Sequence, residues 1–228
     1  MKLIKQPISL SVSNINIDHS AHKIKHSILL PNTIRCIICG PSNCGKTNVV
    51  ISLLLHENGL KFQNLYLYSK TNYQPKYRFL REVIKRVPNI SFYEFNDNKD
   101  VIGPSEALNN SVFIFDDVAC ENQINIRNYF SMGRHKQIDY FYLSQTYSKI
   151  PKQLLRDNGN FIIIFKQDDV NLKHIYEEHV SSDMSWNQFK NICNIVWSKP
   201  YNFVCINKDS PLNNGRYRKN FDIFFNLE

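Results

Sequence analysis

The chain has 228 residues, 43% of them hydrophobic, which suits one α/β domain with modest additions and argues against wholesale disorder. Its formal net charge of +8 favours an acidic partner such as nucleic acid or a membrane surface, although a merely soluble basic surface carries the same sign. No apolar run reaches the roughly 18–20 residues that a membrane-spanning helix needs, and residues 1–20 alternate apolar and polar side chains around Asp18, unlike a secretory signal.

In chain order, residues 1–30 read as an N-terminal strand or hairpin extension, residues 31–210 as one domain, and residues 211–228 as a basic tail packing on it. The apolar run Ile34–Cys39 predicts a first strand ending at Gly40. Lys46–Glu57 places Val49, Val50, Leu53 and Leu54 on one helical face, closed by Asn58-Gly59. Strands are expected over Asn64–Ser69 and Ser91–Phe95, with a helix over Lys76–Arg86 that Pro88 cuts short. Ser111–Phe115 is apolar throughout, as a central strand covered on both faces must be. A helix over Glu121–Met132 follows, then strands over Ile138–Ser144 and Asn160–Phe165. Helices over Asp169–Glu178 and Trp186–Val196 precede a last strand, Tyr201–Ile206, and a turn at Asn213-Asn214-Gly215. This alternation predicts an α/β fold with a mainly parallel sheet flanked by helices.

Six cysteines suit a reducing compartment if they are free thiols. Cys36 and Cys39 form a C-x-x-C, but three residues apart on a strand they point to opposite faces, so they read as small core residues. His174 and His179 are five apart and share no helix face, His19 and His22 sit in the polar extension, and none reads as a metal ligand.

Gly40-Pro41-Ser42-Asn43-Cys44-Gly45-Lys46-Thr47 matches the phosphate-loop pattern G-x-x-x-x-G-K-[ST] in full, between a strand and a helix. Glycines let the backbone curl so that successive N–H groups face phosphates, and the helix N-terminus adds partial positive charge. Lys46 is expected to reach the β- and γ-phosphates of ATP, and Thr47 to ligate Mg2+. A chance Gly-rich turn is the alternative. Downstream, Val112–Phe115 leads into Asp116-Asp117. Asp116 then sits where it can hold the magnesium, and Asp117 where it can orient or deprotonate the attacking water; an Asp-Asp turn solvating a strand end is the competing reading.

Ile138–Ser144 runs into Gln145-Thr146. A strand inserted between the two nucleotide-binding strands would put Gln145 against the γ-phosphate, where its amide can donate to phosphate and position water. Arg134, in Gly133-Arg134-His135-Lys136, is the first candidate for an arginine finger reaching a neighbouring subunit, with Arg127 and Arg156 in reserve. Lys149, Lys152 and Arg156 form one candidate DNA-backbone patch, and Arg216, Arg218 and Lys219 around Tyr217 form another; solvated helix faces would look the same.

Taken together, GPSNCGKT, then VFIFDDV, then RHKQIDYFYLSQTYSKIPKQLLRDN, in that order and spacing, resemble viral genome-packaging ATPases of the FtsK–HerA superfamily, such as those of poxviruses, virophages and polinton- or adintovirus-like elements. The resemblance spans roughly residues 30–166. It implies a P-loop NTPase core with an extra central strand (the ASCE type) and a ring-shaped homo-oligomer, often a pentamer or hexamer. It further implies translocation of double-stranded DNA into a preformed capsid, at virion assembly sites in the cytoplasm or nucleus of a host cell. Carried onto this chain, Lys46 and Thr47 bind phosphate and magnesium, Asp116 is the metal acid, Asp117 the catalytic acid, Gln145 the sensor and Arg134 the finger acting on a neighbour's site. A P-loop nucleoside or nucleotide kinase and an ATP-switched assembly factor remain the alternatives.

Overall fold

The computed structural model describes residues 24–97, 100–118, 124–132 and 137–227. A first strand, β1 (Arg35–Cys39), leads through the glycine-rich loop into α1 (Lys46–Leu55). Then follow β2 (Asn64–Ser69), α2 (Pro75–Ile84), β3 (Ser91–Phe95), β4 (Ser111–Asp116) and α3 (Ile124–Met132). The chain continues with β5 (Asp139–Ser144), β6 (Phe161–Ile164), α4 (Asp169–His179), α5 (Trp186–Val196), β7 (Val204–Asn207), β8 (Tyr217–Lys219) and β9 (Ile223–Phe224).

Among the described residues, nine strands join one sheet in the order β3-β2-β4-β5-β1-β6-β7-β8-β9. The first six of these run parallel, and β7, β8 and β9 are added antiparallel. This is the α/β fold that the alternation of strands and helices predicts. It includes the inserted strand: β5 lies between β1, which carries the phosphate loop, and β4, which carries the acids.

Strict alternation divides the core into two layers. Cys36, Ile38, Val112, Ile114, Phe141 and Leu143 face one side, where they pack against Val50 and Leu53 of α1 and Tyr77 and Leu80 of α2. Their strand neighbours Ile37, Cys39, Phe113, Phe115, Tyr140 and Tyr142 face the other side, against α3, α4 and α5. Cys36 and Cys39 thus lie buried on opposite faces as free thiols, as their spacing requires. The second layer is largely aromatic. Tyr66 stacks on Phe113 at 4.3 Å and on Tyr93 at 4.6 Å between ring centroids, so rings on β3, β2 and β4 form one ladder. Such pairs add about 0.5–1.5 kcal/mol each beyond their burial.

Helix ends follow the sequence locally. Asp168 caps α4 by accepting from the N–H groups of Val170 and Asn171, and Ser185 with Gln188 forms a reciprocal capping box on α5. Pro75 occupies the first turn of α2, where its missing N–H is not needed.

Below the sheet, at the end away from the phosphate loop, Asp139 gathers the approach to β1. Its buried carboxylate meets Lys25 Nζ at 2.6 Å and His26 Nε2 at 3.0 Å, and accepts from the backbone N–H of Ile34 at 2.8 Å. His26 Nδ1 accepts from the N–H of Lys61, which leaves the proton on Nε2 for Asp139. Removing the carboxylate would strand the buried imidazole N–H of His26 and the main-chain N–H of Ile34, and would leave the half-buried Lys25 ammonium with the Gln137 carbonyl at 2.6 Å. Asp139→Ala is therefore expected to destabilise the fold by roughly 3–5 kcal/mol, the usual result of breaking a buried pair from one side. Urea unfolding followed by circular dichroism measures this; a loss under about 1 kcal/mol would mean that the cluster does not anchor the segment.

Several expectations are corrected. Residues 24–30 form a turn and contain no strand, and the rest of the expected N-terminal extension lies outside the described residues. The last strand of the core starts at Val204 rather than Tyr201, because Tyr201 has a φ of 66°, which breaks an extended run. The basic run at residues 216–219 is not a solvated patch: Tyr217–Lys219 forms β8, and Arg218 is fully buried. Its guanidinium donates to the carbonyls of Gly215 and Leu29, both at 2.5 Å, and lies over the Phe224 ring at 4.6 Å. Arg216 is paired with Asp183 at 3.0 Å. Arg156 is also buried, paired with Glu178 at 3.1 Å and stacked on Tyr147, so it serves neither as a finger nor as a DNA contact. Lys149 and Lys152 stay exposed.

Candidate nucleotide site

The loop between β1 and α1 takes its shape from three positions. At Gly40 a side chain's first carbon would fall 2.6 Å from Phe165 Cβ and 2.7 Å from Cys44 Sγ, so only glycine fits. Asn43 and Gly45 both have positive φ, 60° and 115°, and these reversals curl the backbone. The Gly40 N–H donates to the Ser144 carbonyl at 3.1 Å, tying the loop's start to the tip of β5. α1 begins with no side-chain cap and no acid in its first turn. Its leading N–H groups and positive dipole end are thus left for an anion.

Ser42, Asn43, Gly45, Lys46, Thr47, Asp116, Asp117 and Gln145 all line one polar cleft above the ends of the parallel strands. The structure therefore brings together the loop, the paired acids and the polar tip of β5, three segments far apart in the chain. Gly40, Pro41 and Cys44 form the loop's turn; Cys44 packs against the aliphatic layer, and Pro41 borders the adjoining hollow beside Gln145. Lys46 Nζ donates to the carbonyls of Gly40 at 2.7 Å and Pro41 at 2.8 Å, so the ammonium is held over its own loop. Asp116 closes β4 in register with Leu143 of β5. Asp117 leaves the strand with a φ of 58°, a left-handed turn that Asp tolerates better than most residues, and is exposed in the cleft. Gln145 is exposed just beyond β5. Arg134 lies outside the described residues. Arg127 sits half-buried on α3.

Sequence reasoning missed the contribution of α2. Its Tyr77 is buried, and the phenol bonds to both the Asp116 carboxylate and Thr47. Lys76, one residue earlier, lines the same cleft with Thr71 and Gln74. Burial raises the Asp116 pKa above the ordinary aspartate value; the Tyr77 hydrogen bond and the Lys46 charge pull it back, and Asp117 pushes it up again. Burial, then the neighbouring Asp116, drives the Tyr77 phenol far above its usual range, so it remains a donor. Tyr77, Leu80 and Ile84 share one buried helical face, which reads from sequence as plain core. The available signal was the hydroxyl itself, because a buried tyrosine needs a partner for its O–H.

The donor set suits magnesium. Among the described residues no cluster of three or more His, Cys, Asp or Glu side chains could hold a metal alone. A hard ion here would depend on the Thr47 hydroxyl, the Asp116 carboxylate, water and phosphate oxygens, which is how magnesium is usually held beside nucleotides.

The strand order with β5 inserted, the glycine-rich loop and the acids at the end of β4 define the P-loop NTPase fold. Solved structures sharing it include the genome packaging NTPase B204 of Sulfolobus turreted icosahedral virus 2. In complex with sulfate it is similar at a TM-score of 0.58 and 11% identity, over 87% of this chain and 100% of that one. In complex with ATP-gammaS the values are 0.52 and 12%, over 79% and 94%. B204 of Sulfolobus turreted icosahedral virus, a DNA-packaging ATPase, is similar at 0.54 and 14% identity, over 78% and 94%. The sequence matches no protein-family model and no curated protein.

Proposed function

We propose that this chain is the ATPase subunit of a viral genome-packaging motor of the FtsK–HerA type, a homo-oligomeric ring of five or six copies. It hydrolyses ATP with magnesium and drives double-stranded DNA into a preformed capsid at the site of virion assembly. The observation that carries this reading is the convergence of Lys46, Thr47, Asp116, Asp117 and Gln145 on one polar cleft. The likeness in fold to viral genome-packaging NTPases and the net charge of +8 support the polyanionic track. Among the described residues no helix is long and apolar enough to cross a membrane.

In this reading the N–H groups of the loop and of the first turn of α1 hold the phosphate chain. Lys46 exchanges its two loop carbonyls for oxygens of the β- and γ-phosphates. Thr47 and Asp116 would hold a magnesium ion, which would supply positive charge to offset that of the phosphates. Tyr77 keeps Asp116 and Thr47 in register with each other from the α2 side. Asp117 orients the attacking water and takes its proton as the oxygen bonds to the γ-phosphorus and the β–γ bridging oxygen departs with ADP. Gln145 contacts the γ-phosphate from the tip of β5. Arg134 of a neighbouring copy reaches that phosphate and offsets the charge that builds on it.

Phosphate release, measured with and without linear double-stranded DNA, tests the proposal. A motor releases phosphate from ATP faster when DNA is present. A small-molecule kinase would instead place the phosphate on an added nucleoside, and an ATP-switched assembly factor would bind ATP with negligible release in either condition. Either of those two results would remove the motor.

A further inference from the structure

Beside the phosphate cleft lies a second, aromatic pocket that the reading above leaves without a role. It is formed by Asn48 and Ser52 on the first turns of α1, Phe165 just beyond β6, Tyr201 and Phe203 before β7, and Phe221 after β8. Gly45 lines both this pocket and the phosphate cleft, so the two adjoin at the start of α1. From the geometry we infer that this pocket holds the purine base of the bound nucleoside triphosphate, with Tyr201 as its stacking face. The inference rests on the nucleotide reading of the phosphate loop and adds the residues that recognise the other end of the molecule.

Direction comes first. The acids and Gln145 stand on the β4–β5 side of the loop, where a terminal phosphate must lie to be attacked. A phosphate chain held by successive loop N–H groups then runs toward the first turn of α1, and its nucleoside end emerges on the β6–β7 side. The aromatic pocket opens there. It is close enough to be reached: a side chain's first carbon at Gly45 would lie 3.9 Å from Tyr201 Cδ1 and 3.5 Å from the Phe165 ring.

Tyr201 is the second argument. It is 71% exposed, and its φ of 66° is a strained conformation for a bulky side chain. Strain of this kind persists where the surroundings hold it, and it clusters at ligand sites. Here the surroundings are closely packed. Phe203 packs on Phe165 at 5.4 Å and on Phe221 at 5.0 Å between centroids. Asn220, itself at a φ of 54°, accepts from the Phe203 N–H at 3.2 Å and donates to Asn202 at 3.3 Å. The segment that presents Tyr201 is thus fastened to β8 on one side and to the core on the other. The Asn48 amide, a donor and an acceptor in one group, and the Ser52 hydroxyl supply what the edge of a purine can bond. The antiparallel strands β7 and β8 bring Tyr201, Phe203 and Phe221 beside the phosphate loop.

The test compares magnesium–ATP with magnesium–tripolyphosphate, which has the phosphates but no base, by calorimetric titration of wild type, Tyr201→Ala and Tyr201→Phe. Stacking of one base on one aromatic ring predicts that Tyr201→Ala weakens ATP roughly 10- to 100-fold. Tripolyphosphate binding should be unchanged in that variant, and Tyr201→Phe, which keeps the ring, should bind ATP within about threefold of wild type. If ATP and tripolyphosphate both bind wild type and Tyr201→Ala alters neither or weakens both equally, the base lies elsewhere and only this inference falls. If wild type binds neither compound, the nucleotide reading fails and the pocket assignment goes with it.

Discussion

Asp117→Asn is expected to lower phosphate release by roughly 10²- to 10⁴-fold while leaving ATP binding close to wild type. The substitution is nearly isosteric, and asparagine tolerates the left-handed φ of 58° at this position as well as aspartate does, so the turn after β4 should be kept. What disappears is the carboxylate, exposed in the cleft beside Lys46, Thr47 and Gln145. A neutral amide cannot accept the proton of the attacking water. Asp116 cannot replace it, because its carboxylate is engaged by Tyr77 at the side of Thr47. Turnover and binding of a non-hydrolysable analogue should therefore separate in this variant. Turnover within about threefold of wild type would remove Asp117 from the mechanism.

The same variant examines the subunit interface. In a ring where Arg134 acts on the adjacent site, Arg134→Ala subunits have intact acids but offer no finger, and Asp117→Asn subunits have the reverse. Mixing the two should restore measurable phosphate release at interfaces where an Asp117→Asn copy supplies its arginine to an Arg134→Ala copy. Rings that form from the mixture and stay inactive would count against an arginine acting between copies.

The elements that carry the phosphate chemistry were legible because each depends on local pattern. Gly40–Thr47 has fixed residue types between an apolar strand and an amphipathic helix, and all-apolar runs such as Ser111–Phe115 announce strands buried on both faces. The insertion of β5 between β1 and β4 was expected through the family resemblance, not through the residues of β5 themselves. Other features were hidden because their meaning is set by distant parts of the chain. Tyr77 obeys the core pattern of α2, and only the fold shows that its hydroxyl reaches Asp116. Arg218 sits in a run that reads as surface by charge. Strand pairing turns it inward, where main-chain carbonyls from residues 29, 215 and 221 accept from its guanidinium. Tyr201 belongs by composition to the following strand, yet its backbone is left-handed and precedes a Phe203 N–H bonded to Asn220. In each case a residue of ordinary local character takes its role from a contact many positions away, which single-sequence periodicity does not encode.

Lys46→Ala should act at an earlier step than Asp117→Asn, and on binding itself. Lys46 Nζ already donates to two carbonyls of its own loop, at 2.7 and 2.8 Å, so it is held within the curl that the phosphates must enter. In the proposed complex those two contacts are replaced by bonds to phosphate oxygens. Hydrogen bonds between charged partners contribute about 1.5–3 kcal/mol each, so losing two of them should weaken ATP by roughly 100-fold or more. Lys46→Arg should not rescue, because a planar guanidinium is wider than an ammonium and the loop is closed by Phe165 against Gly40. The fold should survive both changes, since Lys46 is partly exposed at the start of α1 and the helix is held by Val49, Val50, Leu53 and Leu54. Equilibrium binding of ATP alongside thermal unfolding separates these effects. A variant that melts like wild type and binds ATP within a few-fold of it would mean that the ammonium does not face the phosphates, and the assignment of the cleft would have to be given up.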